Sequence, residues 1–493
     1  MPKITFIGAG STVFAKNILG DCLLMPSLHD AHIALYDIDA ARLEDSQRLI
    51  SAINQSCNQG RATITAHLGV DQRKEALRGS DYAINAIQVG GYEPCTVTDF
   101  EVPKRFGLRQ TIADTLGIGG IFRTLRTVPV LLDIAHEMEE LCPGAWLLNY
   151  TNPMCMITSA ILRGSQVPAV GLCHSVQGCA EHLLKHLSLD QRFPPAEVQW
   201  RISGINHQAW LLEITHQGQD IYPIIKQTAA ERIARLRERG EPGAWVRSLL
   251  PRLGFDGPEP CYDIHSAAIK AHADGNFSTE ELEDLAVAGD LVRLEMMFRF
   301  GYYITESSEH SAEYTPWFIK RTRPELIDHF NIPLDEYPLR CVRQIAGWAR
   351  QREELLGQGA SVEHRCTAEF GAGIINAMET DIPLRIAGNV MNTPGLIPNL
   401  PRKACVEVPC LVDRNGVQPC AVEELPEACA ALNRSNINPQ ILTVEALLSG
   451  RKDYVYQAAL LDPHTSAELA IDDTIALCDA LFEAHAGWLP ELR

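Results

Sequence analysis

The sequence predicts an α/β protein, and three observations carry the prediction. Short apolar runs ending in glycine, asparagine, proline or cysteine recur through the first 200 residues, with helix-periodic stretches between them. A glycine-rich turn within KITFIGAGS separates the first of these runs from the helical STVFAKNILGDCLL. After residue 200 the alternation gives way to paired strand-like stretches and long helical ones. Strands alternating with helices form a doubly wound, Rossmann-like parallel sheet, predicted over residues 1–200; a C-terminal α+β lobe is predicted over residues 201–493.

Each element follows from its own pattern. ITFIGAG is an apolar strand running into glycines, and HIALYDID is a second buried strand that closes a βαβ unit. ATITAHL, DYAINAIQVGG, WLLNYTNP and VPAVGLC are further strands; their near-continuous apolar character suits a sheet covered on both faces. QWRISGINHQAWLLEITHQG alternates as antiparallel strands do, and much of 225–360 has helical periodicity. HADGNFSTEELEDLAVAGD is polar and acidic, which predicts an exposed loop and helix.

Composition narrows the partners. The chain has 493 residues, 46% of them hydrophobic, which is enough for a large core divided between two lobes. A formal net charge of -19 disfavours nucleic acid and anionic membrane surfaces and leaves small molecules as the expected ligands. No secretory leader and no run of 18 apolar residues is read, and 15 scattered cysteines suit reduced thiols, so a cytoplasmic location is expected.

The chemistry-bearing residues sit at the ends of the predicted strands. Gly8 and Gly10 would let a pyrophosphate approach the backbone, with Ser11 completing the turn before the helix. Val13 replaces the third glycine of the usual fingerprint. Asp37, closing the second strand, is placed to accept from ribose hydroxyls and favours NAD over NADP. Cys173 follows a buried strand, and His207 lies at a strand-turn boundary, so thiolate and imidazole could converge on one divalent ion. Softness alone would make that ion zinc. Asn149 and Asn152, in LNYTNP, offer neutral amides suited to hydroxyl-rich ligands.

KITFIGAGS, VGGYEPCTVTDFEV, QTIADTLG, NYTNPM, VGLCHSVQG, GINH and GYYITESSEHSAEYTPWF together resemble glycoside hydrolase family 4, the NAD- and metal-dependent glycosidases, and the similarity runs nearly end to end. The resemblance implies that Cys173 and His207 hold the metal, usually manganese, in place of zinc. It implies that Asn152 contacts the sugar with Asn149 as a second contact, that His174 is the acid, and that His310 touches substrate or cofactor. Relatives use an aspartate or a tyrosine as base; Ser308 stands where the aspartate would, and Tyr303 is the expected base, with Glu306 and Glu309 as its alternatives. Relatives have GPGG where GIGG, 117–120, stands, and the resemblance implies that this loop covers the cofactor or the sugar.

The implied activity is hydrolysis of melibiose-like α-galactosides by a homodimer or homotetramer, with the C-terminal lobe carrying substrate, metal and oligomer contacts. Its course departs from two-carboxylate hydrolysis: oxidation at C3 by NAD, elimination across C1–C2, water addition and re-reduction. An α-galacturonidase or α-glucosidase of the same family is the near alternative, and an NAD-dependent 2-hydroxyacid dehydrogenase the distant one.

Overall fold

The computed structural model describes residues 1–357 and 363–493. Six parallel strands, β1 (Lys3–Ile7), β2 (His32–Asp37), β3 (Thr63–Leu68), β4 (Tyr82–Asn85), β5 (Trp146–Asn149) and β6 (Ala169–Gly171), lie in the order β3-β2-β1-β4-β5-β6. This is the doubly wound order, and its direction reverses between β1 and β4, where such sheets bind ligands at the strands' carboxyl ends. Ile4, Phe6, Ile33, Leu35, Ile84 and Leu148 are buried, because helices cover both faces of these strands.

The sheet does not stop at β6. Antiparallel strands β7 (Val198–Ile205) and β8 (Gln208–His216) form a hairpin, with the short β9 (Gln219–Asp220) and β10 (Tyr303–Ile304) both pairing with β8. Then come β11 (Leu384–Met391), β12 (Cys405–Asp413) and β13 (Gly416–Pro419). Asn389 of β11 pairs with Gly171 of β6, and Glu407 of β12 with Gly204 of β7, so among the described residues one sheet of 13 strands crosses residue 200. Its main core joins Ile4, Phe6 and Leu148 to Trp210, Ile375 and Val406. A second core, around Leu183, Ile225, Leu249 and Leu294, supports the helices beyond β8. Among the described residues no helix is long and apolar enough to cross a membrane.

Two local features set the site. A Cβ on Gly8, whose φ is +90°, would stand 2.8 Å from the Ala86 carbonyl oxygen, so the turn after β1 closes tightly over β4 only with glycine there. GIGG does not form the expected covering loop. It opens the helix Gly117–Leu141, and Ile118 is buried. A Cβ on Gly119 would come within 2.6 Å of the Ala113 carbonyl oxygen, so the glycines seat this helix against residues 113–115 and hold that segment beneath the site.

Candidate active site and metal-binding cluster

Three backbone turns, distant in sequence, deliver the central side chains. His207 occupies the two-residue connection between β7 and β8 with φ +62°. Glu306 follows β10 with φ +63°, and Ala113 precedes Asp114 with φ +55°. Left-handed backbone at non-glycine residues costs about 1–3 kcal/mol each and persists where the surroundings enforce it. Here all three residues are at or beside the same cluster.

That cluster has two overlapping donor sets. Ligand atoms of Cys173, His207 and Glu306 all lie within 4.8 Å of one another, and so do those of Asp114, His207 and His310. His207 belongs to both. Its Nδ1 is within hydrogen-bond distance of the Thr115 hydroxyl at 3.1 Å and of the Tyr314 hydroxyl at 3.3 Å, while Nε2 lies 3.4 Å from Glu306 Oε2. His310 Nδ1 meets Ser307 Oγ at 2.6 Å, and its Nε2 lies 3.9 Å from Asp114 Oδ1. Burial disfavours the His207 cation, yet Glu306, Cys173 and Asp114 outweigh it and raise the pKa to about 10. Burial opposes ionisation of Glu306 too, and His207 and His310 overcome it, bringing its pKa to about 2. Such negative potential converging on an imidazole is what a divalent cation satisfies. Thiolate, imidazole and carboxylate form a donor set that fits one, and the buried, unpartnered Oδ1 of Asn152 offers a further neutral oxygen nearby. Asn152 Nδ2 donates to Asp114 Oδ2 at 3.4 Å, which ties that amide to the cluster.

Glu313 holds Asp114 in place. Its carboxylate accepts three successive backbone amides, from Thr111 at 2.9 Å, Ile112 at 3.1 Å and Ala113 at 2.8 Å. Thr111 Oγ1 donates back to the Glu309 carbonyl at 2.7 Å, so residues 111–113 are gripped at both ends of the helix Ser308–Glu313. Burial outweighs the three amides and raises the Glu313 pKa to about 7.

The glycine turn after β1 is closed by Asp37. Gly10 donates its amide to Asp37 Oδ2 at 2.6 Å, Asp37 Oδ1 accepts from Asp39 at 2.9 Å, and Ser11 stands exposed before the helix Thr12–Leu24. Cys173 lies two residues beyond β6 and donates to Ser175 Oγ at 3.3 Å. His174 is 49% exposed; its Nε2 meets Glu369 Oε2 at 2.6 Å, and that hydrogen bond raises its pKa against the effect of burial. Glu369 is itself fixed, because its amide donates to Thr367 Oγ1 and Thr367 is held by Asp21.

Two expected residues fall outside this arrangement. Tyr303 is fully buried, its hydroxyl donates to Asp290 Oδ2 at 2.6 Å, and the Arg293 guanidinium lies over its ring. Burial raises its pKa well above 10, so the expectation of Tyr303 as base is corrected: the phenol is enclosed in the core and held by Asp290. Asn149 is also enclosed. It accepts from Asn85 at 2.8 Å and donates to the Thr151 carbonyl at 3.2 Å, and so braces the end of β5 from within the core. His310, expected to touch substrate or cofactor, lies among the candidate metal donors. Asp114, Glu313 and Glu369 were not assigned from sequence. Asp114 had a signal in QTIADTLG, whereas Glu313 and Glu369 act through contacts that no local spacing displays.

The description "Family 4 glycosyl hydrolase" matches residues 3–189, and "Family 4 glycosyl hydrolase C-terminal domain" matches residues 202–465. The chain is 50% identical to an α-galactosidase of Bacillus subtilis over 493 residues, covering 100% of both. It is 31% identical to an α-galactosidase of Rhizobium meliloti, over 99% of this chain and 89% of that one. A 6-phospho-α-glucosidase from gut microorganisms, solved with NAD and Mn2+, shares the fold with a TM-score of 0.73 at 18% identity and 100% coverage of each chain. With both halves matched and two full-length relatives above 30% identity, this chain belongs to the family 4 glycosyl hydrolases.

Proposed function

We propose that this glycosyl hydrolase cleaves melibiose-like α-galactosides with NAD and a divalent cation, manganese, as its cofactors. The observation that carries the reading is the convergence of Cys173, His207 and Glu306 at the carboxyl-end side of a sheet whose first turn is built for a dinucleotide. The choice of sugar is supported by the full-length identity to α-galactosidases.

When bound, NAD would supply reversible hydride transfer at a sugar carbon, and the cation Lewis-acid polarisation of the oxygen on it. The chain's own residues bind, orient and move protons. The Gly8–Gly10 turn and the helix after it would hold the pyrophosphate, and Asp37 the ribose hydroxyls. His207, with Cys173 and Glu306 or with Asp114 and His310 completing the set, would hold the cation. Asn152 would accept from a sugar hydroxyl through its unpartnered Oδ1. His174, steadied by Glu369, would donate to the departing oxygen. With Tyr303 enclosed, removal of the C2 proton passes to a carboxylate of the cluster, and Glu306, 23% exposed, has room to meet a sugar.

Turnover in D2O tests the chemistry. Galactose released from an α-galactoside should carry deuterium at C2, because that proton leaves and is replaced, and protium at C3, because hydride departs and returns without meeting solvent. Proton NMR reads both positions, and full protium at C2 would overturn the elimination. A panel of aryl α-glycosides tests the sugar, and preference for the uronide over the galactoside would refute that part.

Glu313→Ala should lower kcat or cation affinity roughly 10–100-fold, the usual cost of removing a group that orients a metal donor. Glu313→Gln should recover part of the loss, since its carbonyl oxygen still accepts. Steady-state kinetics with cation titration reads both, and unchanged parameters in the alanine variant would show that Asp114 needs no such support.

Two further statements belong to this proposal. The helix Glu336–Leu356 buries Glu336 alone and leaves Val342 and Ile345 exposed, which supports assembly as a homodimer or homotetramer. The 15 unpaired cysteines support residence in the cytoplasm.

A further inference from the structure

Residues 363–370 belong to no helix or strand and lead into the helix Gly371–Thr380. They are nevertheless fixed, at the buried carboxylate of Asp21, which the helix Thr12–Leu24 carries towards its far end from the glycine turn. His364 Nε2 meets Asp21 Oδ1 at 2.7 Å, and Thr367 donates its amide to the same oxygen at 2.9 Å and its hydroxyl to Oδ2 at 2.5 Å. A buried carboxylate is tolerated only where donors satisfy it, and among the described residues all three donors to Asp21 come from this one segment. The His364 ring sits so close to the helix that a Cβ on Gly20 would stand 2.6 Å from it.

The far end of the segment reaches the proton donor of the reading above. Thr367 Oγ1, fixed by Asp21, accepts the Glu369 amide at 3.1 Å, and Glu369 Oε2 meets His174 Nε2 at 2.6 Å. Among the described residues Glu369 is the only hydrogen-bond partner of that half-exposed ring. Without it the imidazole would sample several rotamers. A second line of contacts leaves the same helix near its start. Phe14 packs edge-on against Tyr150 with ring centroids 5.0 Å apart, Tyr150 lies 6.2 Å from Phe370, and Phe370 meets the His174 ring edge-on at 5.6 Å. Both lines begin on the helix Thr12–Leu24 and finish on one imidazole.

We propose that residues 364–370 form a strap through which the helix Thr12–Leu24 positions His174, and that Asp21 is the remote positioning residue on which the strap hangs. The inference rests on His174 as the proton donor and adds the residues that hold the donor where the departing oxygen meets it. A sugar alkoxide is a poor leaving group and needs that proton, whereas 2,4-dinitrophenolate departs without one. Misplacing the ring therefore harms the first kind of substrate and spares the second.

The test compares melibiose with 2,4-dinitrophenyl α-galactoside on the intact enzyme with both cofactors present. Thr367→Val and Asp21→Asn should each lower kcat/KM for melibiose relative to the aryl galactoside by about tenfold, part of the roughly 10²–10⁴-fold that a placed proton donor supplies. Thr367→Ser keeps the hydroxyl and should keep the ratio. Hydrogen exchange over residues 363–371, read by peptide mass spectrometry, should quicken in the first two variants. A constant ratio, or an equal loss on both substrates, would overturn the strap, as would a fallen ratio with unchanged exchange. His174→Gln separates the two readings. If it lowers the ratio while Thr367→Val and Asp21→Asn do not, the strap alone fails; if it leaves the ratio unchanged, the proton-donor reading fails and the strap with it.

Discussion

His207→Ala should abolish divalent-cation binding and turnover together. The two donor sets share this one imidazole, so its loss dismantles both. Removing an indirect support already costs roughly 10–100-fold, and the loss of a shared ligand should exceed that. Cys173→Ser and Asp114→Asn then separate the sets. A serine hydroxyl stays protonated near neutral pH, where a metal-bound thiol gives up its proton, so Cys173→Ser should follow His207→Ala if the cation lies between Cys173 and Glu306. Asp114→Asn should follow it if the cation lies between Asp114 and His310. Manganese content after dialysis and calorimetric titration measure the binding, while NAD affinity by fluorescence should persist, since Gly8, Gly10 and Asp37 belong to a separate turn. Full manganese content and turnover in His207→Ala would remove the cluster from the mechanism.

Asp99→Ala should destabilise the fold by about 3–5 kcal/mol, the cost of leaving a buried charge uncompensated. Arg126, whose side chain has no exposed surface, donates to both carboxylate oxygens of Asp99, at 3.0 and 2.5 Å. His485 Nε2 adds a third contact at 3.0 Å. The pair joins the segment after β4 to the helix Gly117–Leu141 and to the C-terminal helices. With Asp99 removed, Arg126 keeps only the Val89 carbonyl at 3.2 Å. Urea unfolding followed by tryptophan fluorescence should show the midpoint move down. The double variant Asp99→Leu, Arg126→Met should recover much of the loss, because apolar residues of similar volume remove the buried charge as well as its partner. An unchanged midpoint in Asp99→Ala would mean that water reaches the guanidinium.

Sequence alone determined the parts of this protein whose signal is local. An apolar strand, a tight glycine turn and a helix start are consecutive events, so β1, Gly8, Gly10 and the acid Asp37 at the end of β2 could be read in order. Cys173 was legible for the same reason, standing just beyond the short buried strand β6, and His207 because a two-residue hairpin turn advertises itself between alternating strands. The family was legible because long motifs are distributed along the whole chain.

Tertiary structure decided which of these side chains meet. Asp114, Cys173, His207 and the pair Glu306 and His310 come from four segments; only that pair, four residues apart, shares a local spacing, and the convergence of the rest depends on how β7, β8 and β10 dock against the parallel sheet. Tyr303 shows the limit most plainly. Its place in β10, paired with Leu211 of β8, points its ring into the core beneath Arg293, because successive side chains on a strand take opposite faces. Glu369 carries no motif, and Glu313 lies within GYYITESSEHSAEYTPWF without its role showing there, for both act on backbone amides or an imidazole that are distant in sequence and reach them only once the chain has folded.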